Sequence, residues 1–208
     1  SGGGVRGGKA GSVAPVLILV RHGRTAHNAS RRLLGRLDVP LDELGRRQAA
    51  ALGQLTELRS ADRVVTSPLG RALETASALG PPVTVDERWI EIDYGIYDGL
   101  TLEEVPSTLW AKWDADPAWT PEGGESLAAM GARVRAACDS LWEEACDSDV
   151  VVVSHVSPIK AALWWGMGLP AEFPGRLMLD VASISRIGMG PRGTVMRSFN
   201  ETCHRPSV

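Results

Sequence analysis

Hydrophobic and polar positions along this chain follow two alternating rhythms. Val16-Leu-Ile-Leu-Val20 and Val150-Val-Val-Val153 are unbroken apolar runs, and Val64-Val65 is a shorter one. Short apolar runs bounded by polar or turn residues read as strands buried on both faces. The pattern predicts a strand over 15–21, a helix over 43–58, a strand over 63–66 and a helix over 68–79 stopped by Gly80-Pro81-Pro82, then a strand over 83–86. A less regular, tryptophan-bearing stretch runs from Trp89 to Pro121. A long helix over 126–145 follows, with Leu127, Met130, Val134, Ala137, Leu141 and Trp142 recurring at helical spacing as its buried stripe. A strand over 149–154 leads to a helix opening at Pro158 with Ser157 as its N-cap. Strands near 182–188 and 194–199 finish the chain, and no internal repeat interrupts it. This order predicts the α/β class: a three-layer α/β/α sandwich around a mostly parallel sheet, with 89–121 as a lid or rim over the crevice.

Composition narrows the class. The chain has 208 residues, 44% of them apolar, which suits one domain over 15–208 with a substantial core. Residues 1–14 are a Gly-rich leader, expected to be a linker or tag remnant that buries nothing. Its Gly3 to Ala10 stretch nearly spells a P-loop, but no Ser or Thr follows Lys9 and no strand precedes it, so nucleotide binding is not expected there. No apolar stretch nears the roughly 18–20 residues of a membrane span, and a signal-peptide pattern is missing. The expected location is cytoplasmic, without a membrane partner. Cys138 and Cys146, eight residues apart on one predicted helix, are too far separated to pair without unwinding it. No C-x-x-C spacing suggests a metal.

Net charge is −3, unevenly spread. Arg21 to Arg71 holds ten Arg against five acids, whereas Ala72 to His155 holds four basic residues against seventeen acids. The early arginines can focus an anion, while the acidic remainder disfavours nucleic acid.

The candidate chemistry lies at strand ends. The first strand ends in Arg21-His22-Gly23, another in Ser154-His155, and Val64-Val65 leads through Thr66-Ser67-Pro68 to Arg71. Ligands of open α/β sheets bind outside the C-terminal ends of the strands, so His22, Arg71 and His155 are expected to share a pocket. Arginine forks bind phosphate bidentately and stay charged, which makes Arg21 and Arg71 the expected anion receptors. Thr25 and Asn28 add neutral hydrogen bonds, and Gly23 lets backbone approach a ligand. A histidine at a strand end is by itself equally a core residue. Flanked by Arg21, Arg24 and Asn28, His22 reads instead as a nucleophile whose pKa the arginines lower, giving a phosphohistidine intermediate. His155 is the expected donor to the phosphoryl oxygens. His27 and His204 read as structural. No metal or other cofactor is expected, because His22 sits among cations without a carboxylate cluster.

Arg21-His22-Gly23, Thr25 and Asn28 resemble the signature of the histidine phosphatase superfamily, in its first, phosphoglycerate mutase-like branch. Leu41 to Ala49, Thr66 to Ala76, Glu91-Ile92-Asp93-Tyr94-Gly95, Gly99-Leu100-Thr101, Gly123-Gly124-Glu125-Ser126 and Ser154-His155 continue the likeness in order over roughly 15–200. The resemblance implies a phosphoglycerate mutase-like fold and makes Glu91 the general acid, with Trp89, Ile90 and Ile92 raising its pKa by desolvation. Asp93 and Asp98 are the alternatives for that role, and Glu125 is expected to favour the amides at the start of the long helix. Two positions depart from the family pattern. Arg24 stands where many members carry Glu or Gln, so it either extends the anion grip or points to solvent. Val156 follows His155 where glycine is common, which puts a backbone contact from residue 156 to substrate in question.

The implied activity is hydrolysis of a small phosphomonoester, and the sequence also resembles actinobacterial members described as α-ribazole phosphatase-like. The alternatives are a cofactor-dependent phosphoglycerate mutase and, from another class, a non-catalytic phospholigand or protein-binding module. The mutase would need cations in the rim, where 99–121 offers Lys112 against Glu103, Glu104, Asp114 and Asp116. The binding module would need loss of His22 or the acid. Oligomeric state is left open, a dimer included.

Overall fold

The structure is a computed structural model describing residues 16–145, 148–170 and 177–206. The 1–14 leader and Cys146 lie outside the described residues. The order along the chain is β1 (Val16–Arg21), α1 (Ala26–Ala29), α2 (Glu43–Leu52), α3 (Thr56–Arg59), β2 (Arg63–Thr66), α4 (Gly70–Ser77) and β3 (Val83–Val85), then α5 (Ser107–Ala115), α6 (Leu127–Ala145), β4 (Val150–Ser154), α7 (Val156–Gly166), β5 (Ile184–Gly190) and β6 (Gly193–Glu201). Short 3-10 turns over Glu87–Trp89 and Gly95–Tyr97 lie between β3 and α5.

The strands form one sheet in the order β3-β2-β4-β1-β5-β6. Pairings among β1 to β4 are parallel, and β5 and β6 join antiparallel, matching the mostly parallel sheet expected. Period-two alternation divides each central strand between two cores. Leu17, Leu19, Val65, Val150 and Val152 face one cluster, filled by Met130, Val134 and Leu141 of α6 and Ile159 and Leu163 of α7. Ile18, Val20, Val64, Val151 and Val153 face the other, filled by Leu52, Leu58, Ala72 and Ala76 of α2, α3 and α4. These side chains are almost fully buried, and each Val, Leu, Ile and Met among them contributes about 1.5–3 kcal/mol of transfer free energy.

Register matters most for function. Val20 pairs with Val153 and Arg21 with Ser154, while Thr66 pairs with Val153. The residues one step past each strand, His22, His155 and Ser67, therefore emerge side by side. Backbone hydrogen bonds from His22 to Ser154 and from Ser67 to Val153 extend the ladder to that point.

Three details differ from the pattern-based reading. The single helix expected over 43–58 is two, because the chain turns at Gly53, where a Cβ would lie 2.1 Å from the Ala78 carbonyl oxygen. Packing of α4 against α2 thus requires the glycine and ends the helix. The last helix opens at Val156 rather than Pro158, with extended His155 as its N-cap. Pro158 is accommodated in the first turn, where amides have no intrahelical acceptor. The 89–121 stretch is anchored as well as peripheral: Trp89, Leu109 and Trp113 are buried in the α6/α7 core, and Trp113 lies 5.8 Å from Tyr94 and 6.1 Å from Trp119.

The loop after β1 is locked to the start of α2. A Cβ on Gly45 would lie 2.0 Å from the Arg24 carbonyl oxygen, and one on Gly23 2.5 Å from the Gly45 oxygen. Gly45→Ala must push this backbone apart, at an expected cost of about 1–3 kcal/mol, read as a Tm lowered by about 2–4 °C per kcal/mol in thermal denaturation.

Candidate active site

His22 is 3% exposed, at the end of β1. Its Nδ1 lies 2.7 Å from the Gly23 carbonyl oxygen, which can only accept, so Nδ1 carries the proton and Nε2 keeps its lone pair. Burial, then the charges of Arg71 and Arg21, hold the imidazole well below its ordinary pKa. The His155 ring lies 5.0 Å away, centroid to centroid, with Nε2 2.7 Å from the Ser67 hydroxyl. Burial, then Arg71 and His22, lower its pKa as well.

Two arginines complete the cluster. Arg21, continuing β1, donates from Nη1 to the Leu179 carbonyl, and burial chiefly pushes its pKa down to about 10. Arg71, in the first turn of α4, donates from Nη1 to Leu37 O at 2.8 Å and from Nη2 to Gly35 O at 2.7 Å. Asp98 in turn accepts from the amides of Gly35 and Leu37, holding the loop that holds Arg71. Arg21 Nε, Arg71 Nε and His155 Nδ1 are buried without a hydrogen-bond partner among the described residues. The charges of Arg71 and Arg21 act on His22, and of the three side chains Arg21 lines the same cavity as His22 whereas Arg71 and His155 do not.

Glu91 is 3% exposed and lies after β3, in the same cavity as His22. Its Oε1 accepts from the amides of Ile92 at 2.8 Å and Ser157 at 3.2 Å. Burial is the dominant influence and raises its pKa despite those bonds and the two arginines. The carboxyl is therefore suited to hold and release a proton. Asp93 accepts from the Gly95 amide and faces Arg36, and Asp98 is engaged with the Arg71 loop, so neither faces His22 across the cavity.

The segment carrying Glu91 is fastened by a residue the sequence reading passed over. Arg133 of α6 donates to the carbonyls of Arg88 and Ile90, each at 2.7 Å, and to that of Glu91 at 3.3 Å. Its Nε bonds Glu125 at 2.8 Å. Glu125 is thus paired with Arg133 and Arg36 instead of serving the α6 amides; Ser126 Oγ accepts from Ala129 there. A competing pair of arginines outbids the helix terminus. Ser154 adds a tie from β4, donating to the Trp89 carbonyl at 2.7 Å.

The remaining expected site residues divide. Asn28 and Val156 line the cavity. Thr25 is fully buried and forms a capping box with Asn28 at the start of α1, so it holds Asn28 in place. Gly23 stands in close approach to the backbone of Gly45. Arg24 neither lines the cavity nor points free to solvent: its Nε pairs with Asp42 at 2.8 Å. Beside His155, the amide that reaches a functional group is that of Ser157, through Glu91. Ser67 was missed, although it follows β2 as His155 follows β4, which is the signal that locates it.

The cavity encloses about 850 Å³. Its wall is largely apolar and includes Trp110, Trp113 and Trp164. The acidic rim expected over 99–121 reaches it through Asp114 alone. Glu103 sits opposite Arg31, Glu104 caps the Thr101 amide and Asp116 accepts from Ala118, all outside the cavity lining. The repulsion expected toward a second phosphate therefore loses most of its sources. Among the described residues no group of three or more His, Cys, Asp or Glu is placed to hold a metal ion, and no helix is long and apolar enough to cross a membrane.

Known proteins bear on this site. The family model for the histidine phosphatase superfamily (branch 1) matches residues 17–202. A bifunctional protein of Mycobacterium tuberculosis is 40% identical over 81% of this chain, which spans only 49%, about half, of that relative's length. Phosphoserine phosphatase 1 of Hydrogenobacter thermophilus is 36% identical, over 90% of this chain and 93% of its own. A mycobacterial glucosyl-3-phosphoglycerate phosphatase, solved in complex with VO3, superposes with a TM-score of 0.80 at 31% identity, covering 91% of this chain and 100% of that one.

Arg133→Met keeps the bulk of the side chain and removes its hydrogen bonds to the Glu91 segment. The expected loss is about 2–3 kcal/mol in urea denaturation, with hydrolysis of alkyl phosphates falling further than that of p-nitrophenyl phosphate.

Proposed function

Because the chain belongs to branch 1 of the histidine phosphatase superfamily, we propose that it hydrolyses a small phosphomonoester through a phosphohistidine on His22. The observation that carries this reading is the grouping of Arg21, Arg71 and His155, each with a buried nitrogen that has no hydrogen-bond partner among the described residues, with a His22 imidazole whose Nε2 keeps its lone pair.

In the first step Nε2 of neutral His22 attacks phosphorus as the ester P–O bond breaks. The departing oxygen takes the proton of Glu91. Arg21, Arg71 and His155 stabilise the equatorial oxygens. In the second step Glu91, now a carboxylate, takes a proton from water. That water attacks phosphorus, the P–N bond breaks, and inorganic phosphate leaves with His22 and Glu91 restored. No cofactor enters this cycle. Relatives named as phosphatases support hydrolysis over the mutase alternative. A cytoplasmic setting belongs to the same proposal; the unpaired thiols of Cys138 and Cys203 support it.

His22→Ala is expected to remove nearly all hydrolysis with the fold intact by circular dichroism. Acid-labile phosphoryl label should be trapped on His22 of the native protein, and a well-folded His22→Ala protein with substantial activity would sink the mechanism.

The pH dependence follows from the two shifts. His22 must be neutral, so kcat/KM falls as pH drops through a pKa lowered from 6.5. Glu91 must be protonated, so the rate for alkyl esters falls as pH rises through a pKa raised from 4.5. Glu91→Gln is expected to abolish the alkaline limb and to lower kcat/KM, which reports the first step, about 10²–10⁴-fold for alkyl esters and far less for p-nitrophenyl phosphate. Equal losses on both esters would reassign the acid.

A further inference from the structure

The cavity extends past the phosphoryl site along one face of α7. Val156, Ser157, Lys160, Ala161 and Trp164 all line it, at the i, i+1, i+4, i+5 and i+8 positions of a single helical face. Val156 and Ser157 lie beside Glu91, so Lys160 stands one helical turn, about 6 Å, further out. Its ammonium has neither a hydrogen bond nor an ion pair among the described residues. The charges near it are those of Glu91 and Arg21, both committed elsewhere: Glu91 accepts from two backbone amides and Arg21 donates to Leu179 O.

Most of the cavity wall is apolar, with Arg32 and Asp114 as further charged residues in it. Trp164 lies one turn beyond Lys160 on α7, and Leu127, Met130, Trp110 and Trp113 line the same cavity. Met178, at the mouth, is 83% exposed. An exposed, flexible thioether is a surface that gains by being covered. A cavity of about 850 Å³ is far larger than a phosphate with a three-carbon alcohol requires, and its size is that of sites which enclose ligands of drug dimensions. Burial lowers the Lys160 pKa, so an anion placed against it regains what the ammonium lost on leaving water.

We propose that Lys160 is the leaving-group subsite, and that the substrate is a phosphomonoester with an apolar, aryl-sized body bearing one carboxylate about a helical turn from the phosphoryl group. This rests on the hydrolase reading for the reaction itself, but the subsite is a binding claim that stands separately. Lys160 places the alcohol portion; it is not part of the bond-making machinery. The tryptophans cover the body of that alcohol, and the carboxylate sets its direction in the cavity.

Two measurements on the full chain separate the claims. Calorimetry compares benzylphosphonate with 4-carboxybenzylphosphonate, neither of which can be hydrolysed. Phosphate release is followed from benzyl phosphate and 4-carboxybenzyl phosphate. The carboxylated phosphonate is expected to bind at least tenfold more tightly. Lys160→Met should erase most of that preference, through KM rather than kcat for the esters, and Lys160→Arg should retain most of it. Equal binding of the two phosphonates, or a preference that survives Lys160→Met, overturns the subsite even if both esters are cleaved. Selective binding without phosphate release overturns the hydrolase reading and leaves the subsite standing.

Discussion

Parallel, in-register pairing of three strands is the constraint on which everything else depends. β2, β4 and β1 are adjacent, and their ladders end level, so the next residue of each emerges at one edge. His22, His155 and Ser67 meet there although 88 residues separate the last two. A slip of one residue in β1 would exchange its two buried faces and carry His22 away from His155. The valine-rich cores that fix this register therefore also fix the distance between the imidazoles. Stability and chemistry share one determinant here.

A second layer of the design restrains charge. Two arginines and two histidines packed together repel when all are protonated, and burial penalises each charge further. The protein answers by keeping both imidazoles neutral and by giving the guanidinium groups backbone carbonyls instead of carboxylates. A carboxylate partner would neutralise the arginines and compete with an anionic ligand. Carbonyls hold them and leave their charge uncompensated. Burial also raises the pKa of Glu91, which shares the cavity with His22.

Much of this was legible in the sequence because the signals are local. Apolar runs ending in Arg-His or Ser-His mark a strand and its exit in a few residues, and the alternating elements that follow imply the parallel sheet. What escaped depends on partners distant in sequence. Arg133 spends its donors on backbone carbonyls, which carry no side-chain signature, so nothing in its neighbourhood announces it. The start of α7 was misplaced because Ser157 looks like a cap, whereas its amide is engaged by Glu91. Counting acids over 99–121 gave the right composition and the wrong direction, because composition does not say which way a side chain points. Gly53 shows the same limit: its need arises from the Ala78 carbonyl on another helix.

The unequal anchoring of the two halves of the site has a dynamic consequence. His22 and His155 sit on the central strands of the sheet, whose amides are the last to exchange with solvent in a fold of this kind. Glu91 rides on an irregular segment secured by a few side-chain bonds from Arg133, Arg36 and Ser154. Sub-global opening should release that segment while the sheet stays closed. The proton donor would then depart before the nucleophile does, so the first partly unfolded form keeps its phosphate receptor but has no means of expelling a poor leaving group.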